Sequence, residues 1–219
     1  MKILTIIMIM LIFSNIAIVY AQEESRKIEV IEIPASAFNK TKDDPEVIPL
    51  EHKHIANFVV NLKNELIYKP NYDQAKSSIR FGDNERDKFF EIIMYGEPSK
   101  RLTVALFTDQ LGYVKYYEND QSWFEDRQIG ISFMQNDKLS IHNGQRNIMD
   151  RLRIGEFTLD TLEVYGKENS SDLDNVIGGK VIVEVLSGNP LENPISFIPV
   201  VAVAVVGGVL VILLKTKKR

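Results

Sequence analysis

An uncharged apolar segment near the carboxyl end is the feature that most constrains how this chain can fold. Residues Ile195 to Leu214 read ISFIPVVAVAVVGGVLVILL, without a single Asp, Glu, Lys or Arg. As a helix this segment would be about 30 Å long, which is the thickness of a bilayer's hydrocarbon core. Because such a helix has no polar face to turn towards water, we predict a transmembrane helix over 195–214.

The residues on either side of this segment predict its orientation in the membrane. A basic tail at 215–219 follows it, and by the positive-inside rule such a tail lies in the cytoplasm. A short stretch at 188–194 with Pro190 and Pro194 precedes it and is expected to form a stiff stalk. The sequence therefore predicts a single-pass protein whose preceding residues lie outside the cytoplasm.

The amino terminus agrees with this topology. Lys2 is followed by an apolar stretch from Ile3 to Val19, and Val19-Tyr20-Ala21 places small residues where signal peptidase cuts. We therefore predict a cleaved signal peptide at 1–21. An uncleaved signal anchor is the alternative, and it would place the following residues outside as well.

The charge of the outer segment limits its partners. All 30 acidic residues and 21 of the 26 basic residues lie between Gln22 and Pro194, which gives this segment a net charge of −9. Such a charge argues against nucleic acid and against anionic lipid as partners. The chain has no cysteine, so disulfides, thiol nucleophiles and Cys-ligated metals are excluded.

Short apolar segments separated by turn dipeptides recur along the outer segment. We predict a first edge strand at Ile28–Ile33 and a loop at 34–49. We assign 22–50 to this strand and loop and 51–187 to a β-sandwich. The strands predicted after residue 70 are 77–81, 88–95, 101–108, 113–117, 128–134, 138–142, 151–165 and 180–186. This spacing is typical of an all-β protein with an antiparallel β-sandwich or jelly-roll-like fold.

The segment from Glu51 to Tyr68 is ambiguous. Its apolar residues fit a helical spacing, but Phe58, Val60 and Leu62 also alternate as in a strand. Asparagines inside the segment disfavour a helix, and we favour a strand.

The plan of the chain resembles that of the exported β-sandwich surface proteins of ammonia-oxidising and related archaea. The resemblance covers the signal peptide, the cysteine-free sandwich with a strand like Ser78-Ile-Arg-Phe81, and the Pro-bounded span with its basic end. In some of those proteins the span is a sorting signal preceded by an acidic-aromatic-Gly motif. Here Asn193-Pro-Ile-Ser-Phe197 departs from that motif, so the resemblance implies a retained anchor and little about chemistry.

A cluster of aromatic and acidic residues is the strongest candidate for a binding surface. It includes Tyr116, Tyr117, Trp123 and Glu125. Aromatic faces stack on sugar CH groups and carboxylates accept hydrogen bonds from hydroxyls, so we predict these four as ligand-binding residues for carbohydrate. Aromatic residues also pack within ordinary strands. Trp123, flanked by turn residues and charges, is expected to be the least core-like of the rings.

Two groups of residues could bind a metal ion. His52 and His54 would share one face of a strand and could hold zinc or copper if His142 or a carboxylate joined them. Asp172, Asp174 and Asn175 place oxygen ligands as calcium loops do, although the glycine and glutamate of the EF-hand pattern are missing. We therefore predict no cofactor and expect a solvated acidic loop here, with a weak Ca²⁺ site as the alternative.

Asn39 and Asn169 begin the triplets Asn-Lys-Thr and Asn-Ser-Ser, which makes them candidate glycosylation sites.

The sequence favours a binding or structural module over an enzyme, because none of the common catalytic motifs occurs. We expect a membrane-anchored surface module that binds carbohydrate or a protein partner. One alternative is a sandwich hydrolase of surface polysaccharide, which would need two suitably spaced carboxyl groups. The other is an accessory subunit of a membrane complex, in which small residues such as Gly207 and Gly208 would pack against partner helices.

Overall fold

Residues 27–134 and 137–187 are described by the computed structural model of the chain. No helix within these two ranges has the length and apolarity needed to cross a bilayer. The signal peptide predicted at 1–21, the stalk at 188–194, the membrane helix at 195–214 and the basic tail at 215–219 lie outside the described residues.

The described residues form two six-stranded sheets, a two-stranded sheet and one 3₁₀ turn at Ala35–Asn39. The first sheet contains, in spatial order, β1 (Lys27–Pro34), β14 (Lys180–Ser187), β3 (Phe58–Asn64), β9 (Ile129–Met134), β10 (Lys138–His142) and β11 (Asn147–Arg153). The second sheet contains β2 (Glu46–Pro49), β12 (Thr161–Tyr165), β5 (Lys76–Asp83), β6 (Lys88–Tyr95), β7 (Leu102–Thr108) and β8 (Gly112–Asn119). The small sheet pairs β4 (Ile67–Tyr68) with β13 (Val176–Gly178).

Alternation of side chains explains why the ambiguous segment becomes a strand. In β3 the side chains of Phe58, Val60 and Leu62 are buried, while Val59, Asn61 and Lys63 between them are half-buried. β3 pairs antiparallel with β14 on one side and with β9 on the other. Because side chains alternate with a period of two along a strand, Asn61 stays out of the core while Val60 and Leu62 enter it.

The core lies between the two large sheets and is rich in phenylalanine. Phe58 of the first sheet stacks on Phe90 of the second, with ring centroids 6.3 Å apart. Phe81 and Phe90 stack at 4.7 Å within the second sheet, and Phe157 packs on both Phe90 and Phe133. These contacts confirm the all-β antiparallel sandwich predicted from the sequence, because aromatic side chains from facing sheets fill one common core.

The loop predicted after the first strand contains a further strand of the sandwich. β1 does form at the edge of the first sheet, but residues 46–49 of the predicted loop form β2, which pairs antiparallel with β12 in the second sheet. Ile33 and Phe38 are buried in the core. Residues 28–50 are therefore part of the sandwich, because they add a strand to each large sheet and side chains to the core.

The outer face of the second sheet presents two rows of side chains that lie directly opposite one another across the strands. The first row is Thr161, Gly82, Phe89, Phe107 and Tyr113. The second row is Glu163, Arg80, Glu91, Ala105 and Lys115. Since side chains of one face alternate along each strand, an aromatic row and a charged row lie side by side on this face.

Candidate functional site

A pocket forms where three connections of the chain meet beside the small sheet. These are the end of β3 with β4 and the two residues after it, the turn between β6 and β7, and the loop between β8 and β9. The pocket has a volume of about 490 Å³ and is lined by Asn64, Glu65, Leu66, Ile67, Tyr68, Lys69, Pro70, Glu97, Lys100, Trp123 and Glu125. We call it the Trp123 pocket.

Backbone hydrogen bonds hold the loop that carries Trp123 against the turn that carries Lys100. The amide of Gln121 donates to the carbonyl of Ser99 at 2.8 Å, and the amide of Ser122 donates to the carbonyl of Lys100 at 3.0 Å. The side chain of Gln121 adds a hydrogen bond to the carbonyl of Pro98. Two segments about twenty residues apart thus form one wall of the pocket.

Trp123 is a buried residue, which corrects the expectation that it would be the least core-like ring. It is 2 % exposed, and its indole Nε1 donates to the carbonyl of Tyr95 at 2.8 Å. Its ring packs on that of Tyr68 at 5.8 Å between centroids, with the planes tilted by 47°. Turn residues surround Trp123 in sequence, but the long-range contact with β4 decides its burial.

A chain of hydrogen bonds fixes the other aromatic wall. Asn64 donates from Nδ2 to the hydroxyl of Tyr68 at 2.8 Å, and the same hydroxyl lies 2.7 Å from Ser77 Oγ. Burial raises the pKa of Tyr68 above its usual value, so this hydroxyl stays protonated. Tyr68 also fits closely against Gly96, where a Cβ atom would lie 2.5 Å from Cβ of the tyrosine, so a side chain at this position would displace the ring.

The rim of the pocket is charged. Lys100 Nζ lies 2.8 Å from Glu97 Oε1, 3.3 Å from Glu125 Oε1 and 5.8 Å from the centre of the Trp123 ring. The hydrogen bond with Glu97 is the largest cause of a raised pKa at Lys100. The side chains of Glu97 and Glu125 are 67 % and 68 % exposed, so one face of each carboxylate remains open to a ligand.

The structure brings together two of the four predicted binding residues. Trp123 and Glu125 both line the pocket, whereas Tyr116 and Tyr117 do not. Tyr117 packs against the core, where its hydroxyl accepts a hydrogen bond from Arg146 at 2.9 Å. Tyr116 is exposed on β8, away from this pocket's lining.

Sequence reasoning missed Tyr68, Glu97 and Lys100. Tyr68 is the last residue of the ambiguous segment, and the other two sit in a turn whose proline and glycine signal only a change of direction. Nothing local links these positions to Trp123, because the link is made by tertiary packing.

The predicted calcium ligands have different partners. Asp172 accepts the amides of Glu168 and Asn169, and Asp174 forms an ion pair with Lys167 at 2.6 Å. Asn175 is buried and donates to the carbonyl of Gly166. Each of these side chains therefore already contacts other residues of the loop, and calcium binding here stays an untested alternative.

The three histidines also contact different residues. His52 approaches Glu29 at 3.9 Å, His54 lies 3.2 Å from Asp160, and Nδ1 of His142 accepts the amide of Gly144. In residues 27–134 and 137–187, no group of three or more His, Cys, Asp or Glu side chains is arranged to hold a metal ion.

The two candidate glycosylation sites differ in exposure. Asn169 is exposed in the loop after β12, whereas Asn39 is half-buried and its Oδ1 is enclosed by protein without a hydrogen-bond partner.

A second polar cluster lies on the outer face of the second sheet, centred on Glu91. Its carboxylate accepts hydrogen bonds from Ser78 Oγ at 2.6 Å, Tyr165 OH at 2.5 Å and Tyr113 OH at 2.6 Å, and Arg80 Nε lies 3.2 Å away. Burial would raise the pKa of Glu91, but the three hydroxyl donors and the Arg80 charge outweigh it and lower the pKa. With both oxygens occupied, this carboxylate organises the face and has no room for a ligand.

The chain is similar to solved structures at low sequence identity. No protein-family model and no curated protein matches it. Sheep galectin-11, solved in complex with glycerol, is 11 % identical with a TM-score of 0.41, covering 64 % of this chain and 96 % of the galectin. The galectin LEC-6 of Caenorhabditis elegans is 13 % identical with a TM-score of 0.38, covering 72 % of this chain and 95 % of the galectin.

The carbohydrate-binding module CBM66 of Bacillus subtilis is 8 % identical with a TM-score of 0.40, covering 71 % of this chain and 95 % of the module. Likenesses of this size carry no argument about a ligand, so the interpretation of this chain rests on its own residues.

Proposed function

We propose that this protein is a membrane-anchored, extracytoplasmic β-sandwich module that binds carbohydrate in the Trp123 pocket and is not an enzyme. The observation that carries the proposal is that the half-buried Tyr68 ring, backed by the buried Trp123 ring, meets the Glu97 and Glu125 carboxylates in one pocket. Aromatic walls accept the CH faces of a sugar, and open carboxylates accept its hydroxyls. A volume of about 490 Å³ falls within the usual range of small-ligand sites.

The hydrolase alternative has one observation in its favour. Glu97 and Glu125 contact the same ammonium, so the two carboxyl groups lie close together, as glycosidases require. A general acid, however, needs an apolar surrounding that keeps its proton at neutral pH. Both side chains are mostly exposed and Lys100 fills the space between them, so this arrangement fits recognition better than proton transfer.

Binding can be measured through Trp123, since it is the only tryptophan of the chain. With the full chain in lipid nanodiscs, we expect members of a neutral and amino-oligosaccharide panel to change its emission. Glu125→Gln should weaken the binding by about tenfold, because a hydrogen bond to a charged acceptor is lost.

The matched control is Asp126→Asn, which removes the neighbouring charge outside the pocket lining. It should leave the affinity within about twofold, as expected for an exposed charge. A panel that never changes the emission, or two variants that weaken binding equally, would contradict carbohydrate binding in this pocket.

The topology has its own test. We expect protease added to intact cells expressing the full chain to digest the sandwich and to spare a fragment containing the basic tail at 215–219, because the tail would lie in the cytoplasm. Immunoblots against tags placed after residue 21 and after residue 219 would follow the two parts. A sandwich that is digested only after lysis would overturn the proposed orientation.

A further inference from the structure

The Trp123 pocket already holds a cation of its own. The Lys100 ammonium sits between the Glu97 and Glu125 carboxylates and lies 5.8 Å from the Trp123 ring centre, within the range of cation–π attraction. Two carboxylates and an aromatic face are the groups that recognise an ammonium ion. The pocket therefore contains a site for an ammonium group, and the side chain of Lys100 occupies it.

The charged residues that line the pocket also indicate a site for a cation. The lining includes three glutamates and two lysines, Lys69 and Lys100. Glu65 has a separate partner in Lys63 at 2.7 Å. Among the described residues, the ion pairs of Glu97 and Glu125 are those with Lys100. If Lys100 turned away, the pocket would keep two carboxylates facing one aromatic wall, which attracts a cation.

We propose that Lys100 is a built-in competitor and that the natural ligand is a saccharide bearing a protonated amino group, which displaces it. The inference rests on the proposed carbohydrate binding and names the class of sugar. The amino group of the ligand takes the position of Nζ between Glu97 and Glu125, while its ring lies along the aromatic wall formed by Tyr68 and Trp123.

Displacement is feasible because the two carboxylates that hold Lys100 are mostly exposed to water. Ion pairs with exposed partners contribute little, since water competes for both charges. Lysine carries its charge on a flexible four-carbon stem, so Nζ can leave for solvent without any movement of the backbone. An incoming ammonium regains the same two carboxylates and adds contacts from the rest of the sugar.

The test compares a glucosamine tetrasaccharide with its fully N-acetylated counterpart, using Trp123 emission of the full chain in nanodiscs. The comparison is made at pH 5.5, where the free amino groups of the sugar are protonated. We expect the chain to prefer the amino form. Lys100→Met should raise affinity for the amino form by about tenfold, because it removes the competing charge and keeps an unbranched side chain.

Lys69→Met is the matched control, since it removes one positive charge from the same lining and leaves the carboxylate pair occupied. It should change affinity for the amino form by less than about threefold, and Lys100→Arg should give no gain. Equal gains in the Met variants would mean a general charge effect and overturn the competitor role. Equal binding of both tetrasaccharides, with Lys100→Met without effect, would overturn the inference but leave carbohydrate binding intact. An unchanged emission with both sugars would contradict carbohydrate binding itself.

Discussion

Replacing Glu91 with alanine should lower the free energy of unfolding by about 3–5 kcal/mol, which is the usual cost of breaking a buried charge network by removing one partner. Glu91 is 0 % exposed. Without its carboxylate, Arg80 loses the closer of its two acidic partners, and the hydroxyls of Ser78, Tyr113 and Tyr165 lose their acceptor. Unfolding of the full chain in urea, followed by far-ultraviolet circular dichroism, would measure the loss.

A variant of the other carboxylate that contacts Arg80 shows whether burial or charge causes the loss of stability. Glu163→Gln alters the other carboxylate that contacts Arg80, at 3.3 Å, but this side chain is 34 % exposed. Its loss should be below about 1 kcal/mol, because water replaces the missing partner. If Glu91→Ala and Glu163→Gln cost the same, the Glu91 cluster would be an ordinary surface network rather than a buried one.

The pH dependence of the stabilisation by Glu91 follows from the direction in which folding shifts the pKa of this side chain. The pKa of Glu91 is lowered in the folded protein, so the unfolded chain binds a proton more readily than the folded one. The stabilisation is therefore fully present above the unfolded value of about 4.3, and it is lost as pH falls through the folded value. The difference in unfolding free energy between the natural protein and Glu91→Gln should shrink in acid, and a constant difference from pH 7 to pH 3 would contradict this origin.

The sequence predicts which face of a sheet a side chain occupies better than it predicts which residues surround that side chain. The segment KFFEIIMY places Glu91 opposite in direction to Phe90 and Ile92, so alternation alone assigns it to the outer face. An outer-face glutamate would ordinarily be exposed. Its burial depends on Arg80 from the preceding strand and on Tyr165 from a strand far along the chain, and no local pattern encodes that encounter.

The same limit explains why the sequence does not predict β2. Residues Glu46–Pro49 are few, carry a charge and end in proline, so they look like part of a loop. They become a strand because β12 offers an antiparallel partner at the edge of the second sheet. For the candidate site, the sequence identified Trp123 and Glu125 by composition, while Tyr68 and Lys100 joined them only through the meeting of three distant connections.

Replacing Trp123 with alanine should also cost about 3–5 kcal/mol of unfolding free energy, the range for removing a large aromatic side chain from a core. The indole is 2 % exposed, packs on Tyr68 and satisfies the carbonyl of Tyr95. Alanine would leave a cavity beside Tyr68 and an unpaired buried carbonyl, and both effects lower stability. Circular dichroism in urea is suited to this variant, because it needs no tryptophan signal.

Two comparisons make the Trp123 result specific. Trp123→Phe keeps most of the apolar contact but loses the Nε1 donor, so it should cost about 1–3 kcal/mol, mainly the price of an unsatisfied Tyr95 carbonyl. Tyr116→Ala removes an exposed ring of the same sequence cluster and should stay within about 0.5 kcal/mol. If Trp123→Ala were as mild as Tyr116→Ala, the indole would be a free surface ring and would not belong to the core. A large loss at Trp123 with a mild one at Tyr116 means that this pocket is built on core packing, which holds its recognition groups in place before any ligand arrives.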